Sequence, residues 1–311
     1  MSAQPGIVAG LENSGRSPMG HHPDSTNHVV ERELTSRLVS LEKLLRADVL
    51  AYSGPIDPMA HEVIKAAIES FDKRRKKIVV LLETFGGYIE FAERIANTLH
   101  HHYKTVDFIV TTYAMSAGTV LVMSGDNLFM DYSATLGPID PQIPRQGAAG
   151  FVPALGYLEQ FERLVQKSRE EDLTRIEQMY FLQNFDPGEL YSYEQARDLS
   201  IALLEEWLVK YKFKNWRVTE TRNLPVTISM KRERAAQIAE RLNETKRWHS
   251  HARGITMKVA NRELKLRIDD LEEIPEVWAG LMSYQNLLRE YRTRLGHRTL
   301  VINWRDGYHG H

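Results

Sequence analysis

The sequence predicts an α/β fold, a parallel sheet continued by a mostly helical C-terminal extension, and three observations carry that reading. Apolar strand-like runs between about 48 and 132 are continuous rather than alternating, as in strands covered on both faces. Segments of helical period separate them, which right-handed parallel crossovers require. Beyond about 155 helical spacing dominates, and all five tryptophans (Trp207, Trp216, Trp248, Trp278, Trp304) fall in that half.

Taken in order, residues 1 to 34 are polar and aperiodic and are expected to be disordered. Asp48-Val49-Leu50-Ala51-Tyr52 reads as a strand ending in Ser53-Gly54-Pro55. Ile64, Ala67, Ile68 and Phe71 then share a helical face. Lys77 to Leu82 is a second strand, and Ile89, Ala92, Ala96 and Leu99 mark a second helix. Phe108 to Thr112 is a third strand, Gly118 to Met123 opens a helix, and Asn127 to Tyr132 is a further strand. In the second half, Ala196, Leu199, Leu203, Trp207 and Leu208 form one stripe, and Ala235, Ile238, Ala239 and Leu242 another. The expected division is therefore a disordered segment 1–34, an α/β domain 35–155, a helical extension 156–298 and a loose tail 299–311.

Composition bounds the function. The chain has 311 residues, 42% hydrophobic and 26% charged, ample for one large domain or two modest ones. A net charge of -1 gives no global argument for nucleic acid or an anionic membrane. The absence of cysteine removes disulfides, thiolate zinc sites and a cysteine nucleophile together, and is compatible with a reducing cytoplasm. No apolar run approaches the roughly 18 residues that span a bilayer, and the first thirty residues lack the apolar block of a secretory signal. A cytoplasmic chain without a membrane segment is expected.

Two strand-to-helix junctions carry the chemistry. Tyr113-Ala114-Met115-Ser116-Ala117-Gly118-Thr119 puts a serine hydroxyl where unpaired N–H groups begin a helix. A serine there is ordinarily a cap, but Thr119 is available as the helix-entry hydroxyl, and Ala114, Ala117 and Gly118 keep the turn narrow. One unit upstream, Glu83-Thr84-Phe85-Gly86-Gly87-Tyr88 falls at the end of a neighbouring parallel strand, the usual ligand edge of such sheets. It matches neither phosphate-loop pattern. The pair suggests acyl transfer: Ser116 as nucleophile, the N–H groups of Gly87 and Ala117 as oxyanion donors, and Gly86 against the substrate. The base is less defined. His249 and His251 form the best histidine cluster, Lys167 is a reserve, and Asp140 sits in a Gly/Pro-bracketed loop returning toward the same sheet end. His100-His101-His102 ends a helix and reads as structural. A different class of function is raised by residues 205–270, where 16 Lys+Arg stand against 9 Asp+Glu. These charges alternate with acids and aliphatics as on an ordinary solvated face, so nucleic-acid binding is the weaker reading.

The segment from about 48 to 145 resembles the Clp-type serine proteases and most closely the serine dehydrogenase proteinase family, which is related to the Clp protease proteolytic subunit and signal peptide peptidase A. Three stretches carry the resemblance: Glu83-Thr84-Phe85-Gly86-Gly87, Ala114-Met115-Ser116-Ala117-Gly118-Thr119, and Ala134-Thr135-Leu136-Gly137-Pro138-Ile139-Asp140-Pro141-Gln142. A weaker match runs from Trp248 to Ile255. The resemblance implies a crotonase/Clp-like ββα superhelix with a mostly helical C-terminal extension, and a serine endopeptidase without metal or organic cofactor. It assigns Ser116 as nucleophile, Asp140 as orienting acid and His251 as base. In signal peptide peptidase A the base is a lysine, which keeps Lys167 in view. The implied substrate is an extended peptide or unfolded protein segment beside Gly86-Gly87, and a homo-oligomer is expected; a partner ATPase is left open. Alternatives are a catalytically silent scaffold of the same fold, acyl-CoA chemistry on paired N–H groups, and nucleic-acid binding by the basic helical half.

Overall fold

The computed structural model describes residues 25–71, 73–139, 142–144, 151–219, 221–244, 254–303 and 307–310. The first half runs α1 (Thr26–Leu45), β1 (Asp48–Ser53), α2 (Pro58–Glu69), β2 (Lys77–Glu83), α3 (Ile89–His102), β3 (Thr105–Val110), β4 (Tyr113–Ala114), α4 (Ala117–Met123), β5 (Asn127–Met130) and β6 (Thr135–Leu136). It continues through β7 (Gln142–Pro144), β8 (Phe151–Pro153), α5 (Ala154–Arg169), α6 (Arg175–Asn184), α7 (Pro187–Trp207) and α8 (Ile228–Asn243). The chain closes with β9 (Ile255–Thr256), β10 (Asp269–Asp270), α9 (Pro275–Leu295), β11 (Leu300–Asn303) and β12 (Gly307–Gly310).

A seven-stranded sheet in the order β10-β5-β3-β2-β1-β11-β12 forms the centre. The β1–β2, β2–β3 and β3–β5 pairs are parallel, with Leu50 opposite Val80 and Val80 opposite Phe108. Continuous apolar strands arise because both faces are covered. Leu50 and Tyr52 join a core shared with α2, α3, α4, α7 and α8, while Val49 and Ala51 point into a second core under α1 and α9. Alternation along one strand thus serves two cores.

Three expected boundaries are corrected. The segment assigned to disorder contains the start of α1: the Ser25 hydroxyl accepts the His28 N–H at 3.3 Å as a cap, and Leu34, Leu38 and Leu41 are buried on one stripe. Residues 1–24 lie outside the description. The supposed loose tail from Thr299 supplies β11, whose four residues are buried and pair antiparallel with β1 at Ala51–Ile302 and Ser53–Leu300. The run Leu300-Val301-Ile302 is apolar enough to complete the sheet, and local composition could not reveal its distant partner. Consequently β10, α9, β11 and β12 belong to the sheet layer, and the helical extension reduces to α5–α8 with its adjoining turns.

Glu42 on α1 accepts the Val49 N–H at 3.0 Å and is almost fully buried. Burial, reinforced by the Asp48 charge, pushes its carboxyl up to about 7 against that hydrogen bond. A raised acid pKa penalises the native carboxylate, so stability is lost as pH climbs from the ordinary glutamate value toward 7. Glu42→Gln keeps the acceptor and removes the charge. Thermal unfolding is expected to show the variant above wild type at pH 8 and close to it at pH 5; an equal shift at both would contradict this.

Candidate active site

Beyond the C-terminal ends of β1, β2 and β3 the chain builds a smaller sheet. β4 pairs parallel with β6, with Ala114 opposite Leu136, and β6 pairs antiparallel with β9, with Leu136 opposite Ile255. The extension of β2 joins it through the Thr84–Ala114 bridge: Thr84 N–H donates to Tyr113 at 3.1 Å, and Met115 N–H returns to Thr84 at 2.9 Å. The extension of β1 follows through the Ile56–Gly87 bridge.

Ser116 stands between β4 and α4 with φ 50° and ψ −121°, a conformation that L residues rarely adopt, and is 2% exposed. A non-glycine residue held there costs on the order of 1–3 kcal/mol and persists only where the surroundings over-determine it. Its side chain does not cap α4. Its carbonyl accepts from Thr119 at 2.8 Å and Val120 at 3.2 Å, and Gly118 N–H donates to Met115 at 2.8 Å. Among the described residues, the Ala117 N–H has no backbone acceptor. Thr119 does not serve as the helix-entry hydroxyl expected from the sequence. Its Oγ1 lies 2.7 Å from the Ala114 carbonyl and 2.9 Å from the Gly137 carbonyl, and accepts the Gly137 N–H at 2.9 Å, fastening the serine turn to the loop after β6.

The two turns singled out in the sequence meet. Gly86 has φ +97°, and a Cβ there would lie 2.7 Å from the Met115 carbonyl oxygen, 2.8 Å from Ser116 Cβ and 3.2 Å from the Ala117 nitrogen. Gly87, at φ +150°, leaves no room for a Cβ beside the Ile56 carbonyl. The bridge to Ile56 uses the Gly86 carbonyl and the Tyr88 N–H, both at 2.8 Å. That bridge leaves the N–H of Gly87 itself unused. Phe85 and Tyr88, 71% and 50% exposed, flank the glycine pair, and Phe85 stacks on Tyr113 at 4.2 Å.

The remaining candidates separate. Asp140, His249 and His251 lie outside the described residues. Their neighbours are described: Ile139 N–H donates to the Leu242 carbonyl at 3.2 Å, and Gly254 packs directly on Thr135 of β6. The reserve base Lys167 donates to Glu177 at 2.8 Å across the α5–α6 turn, and that bond, with those from Thr174, holds the Glu177 carboxyl down to about 2. The histidine triplet is structural at His100, whose Nε2 lies 2.7 Å from the Ser124 carbonyl and whose ring stacks on Tyr211. In the basic half, α8 buries Ala235, Ile238, Ala239 and Leu242, and Lys214 pairs with Asp126. Among the described residues no group of three His, Asp or Glu side chains is arranged to hold a metal, and no helix is long and apolar enough to cross a membrane.

Sequence reasoning missed Glu83, a charged residue closing an apolar strand. Its carboxylate accepts from Ser53 at 2.8 Å, Thr112 at 2.8 Å and Arg292 at 2.7 Å. Burial alone would raise it, but the bonds from Ser53, Arg292 and Thr112 with the Arg292 charge outweigh burial and hold it below the glutamate range.

Residues 55–171 match the model of the family described as ClpP-like SDH-type serine proteinase, a span that includes both glycines and Ser116. The resemblance read from the three motifs is thus to that family over the matched span, and the fold is α/β. Two uncharacterized proteins of Methanocaldococcus jannaschii are similar. One is 29% identical over 154 residues, covering 48% of this chain and 49% of its own; the other is 38% identical over 94 residues, covering 30% and 32%. The chain matches half or less of the length of these relatives. Among solved structures, a lysine-to-alanine mutant of the 1510-N membrane-bound stomatin-specific protease in complex with a substrate peptide aligns with TM-score 0.41 and 13% identity over 71% of this chain and 73% of that one. A serine-to-alanine mutant of the same protease gives 0.28 and 16% over 47% and 74%.

Thr119→Val removes the hydroxyl and leaves the buried Gly137 N–H unpaired, a loss of about 1–3 kcal/mol. Denaturant unfolding is expected to show that loss, and a variant as stable as wild type would contradict the fastening role.

Proposed function

We propose that this protein is a serine endopeptidase that cleaves peptide bonds through an acyl-enzyme on Ser116, with the N–H groups of Gly87 and Ala117 stabilising the oxyanion. One observation carries the reading: Gly86 has no side chain where two turns converge, so a strained serine and the Ala117 N–H lie against the glycine pair. Two N–H donors, each contributing about 3 kcal/mol in a transition state, suit a developing tetrahedral oxyanion. Ser116 Oγ attacks the scissile carbonyl carbon while a base takes its proton. The oxyanion forms between Gly87 and Ala117, and collapse expels the amine with that proton. Water then releases the acyl group by the same route in reverse.

His251 is proposed as the base and Asp140 as its orienting acid. The strand register supports both. With β4 parallel to β6 and β9 antiparallel, the described chain leaves β4 after Ala114, leaves β6 after Leu136 and enters β9 at Ile255 at one end of the small sheet. His251 and Asp140 each lie four residues beyond the ladder, a reach of up to about 14 Å in extended chain. Lys167 is engaged elsewhere with Glu177. The proposed substrate is an extended peptide or unfolded segment lying beside Gly86-Gly87, recognised by backbone pairing. A homo-oligomer remains the proposed assembly: α6 buries none of its side chains and leaves Ile176 and Leu182 80% and 81% exposed.

Labelling by a fluorophosphonate probe and hydrolysis of a casein or peptide library test the reading. Ser116→Ala should abolish both with the fold intact. His251→Ala and Asp140→Asn should each lower kcat/KM by about four orders of magnitude, and Lys167→Ala should leave it near wild type. Labelling that persists without Ser116 would remove it as nucleophile. Loss in Lys167→Ala with full activity in His251→Ala would transfer the role of base. A wild-type chain that neither labels nor cleaves would favour the silent scaffold.

A further inference from the structure

We propose that the cleft between α9 and the C-terminal ends of β1 and β2 is a binding site for a carboxylate-bearing ligand. It is lined by Ser53, Glu83, Tyr284, Gln285, Arg289 and Arg292 over an aliphatic floor, and encloses about 40 Å³ before opening to solvent. A single water needs roughly 10–15 Å³ of such space, so the cleft admits a head group of a few atoms and leaves the rest of a ligand outside.

Charge selects the ligand. Arg292 is committed to Glu83 and also donates to Ser53. Arg289, one turn earlier on the same face of α9, is exposed and has no ion pair among the described residues. The lining therefore carries two guanidinium groups against one carboxylate, a surplus positive charge at the mouth. The planar fork of arginine matches a carboxylate, with the Gln285 amide as a further donor.

The cleft lies back to back with the serine turn. Glu83 lines it, whereas the next residue, Thr84, packs its methyl against Gly118 of α4 on the opposite face. The inference stands on these residues alone and does not depend on hydrolysis at Ser116.

Calorimetric titration of the full chain at constant ionic strength tests it, with succinate, N-acetyl-alanine, N-acetyl-alaninamide and inorganic phosphate as probes. Saturable binding of a carboxylate is expected. Arg289→Gln should weaken it at least tenfold, with the melting temperature held close to wild type. Binding of N-acetyl-alanine but not its amide would support a peptide C-terminus as the source, and preference for succinate a free small acid. No saturable carboxylate binding, tighter binding of phosphate than of either carboxylate, or unchanged affinity in Arg289→Gln would overturn the assignment.

Discussion

Ser116 keeps a backbone conformation costing on the order of 1–3 kcal/mol because two turns of the chain are in contact through a position that has no side chain. Gly86 lets the loop after β2 lie against the loop after β4, and any Cβ there would strike the Met115 carbonyl and Ser116. Thr119 ties the same turn to the loop after β6, and the Thr84–Ala114 bridge ties it to the strand extension. Each contact is modest, and together they fix the serine from three sides.

The main sheet supports this arrangement from below. Parallel strands end together, so the loops after β1, β2 and β3 emerge at one edge and can build a second, smaller sheet. Burial on both faces makes that edge rigid: α2, α3 and α4 cover one side and α1 with α9 the other. The closing segment reinforces it, since β11 pairs with β1 and Arg292 of α9 holds Glu83 at the end of β2. The face opposite the serine thereby acquires its own polar cleft.

Much of this was legible in the sequence because its signals are local. Continuous apolar runs give β1, β2 and β3, and small residues at 86, 87, 117 and 118 mark the turns. Residue type and spacing single out Ser116, Gly86 and Gly87, and the fold sets Gly86 against Ser116. What escaped depends on distant partners. Leu300-Val301-Ile302 is a strand only because β1 offers an open edge, and β4, β6 and β9, at two residues each, lack enough pattern to register. The onset of α1 was hidden by its polar surroundings, although Ser25 and the stripe of Leu34, Leu38 and Leu41 announce it. Thr119 was read as a local cap because its long-range acceptor, Gly137, is set by tertiary contact.

The central claim is that one point beside Gly86 is reached by the Ser116 hydroxyl and by two backbone N–H groups. A crystal structure of the protein after reaction with a fluorophosphonate tests it most directly. The account predicts phosphorus bonded to Ser116 Oγ and one phosphoryl oxygen about 2.7–3.1 Å from both the Gly87 and Ala117 nitrogens. An adduct on another residue, or a phosphoryl oxygen turned away from those two nitrogens, would contradict it.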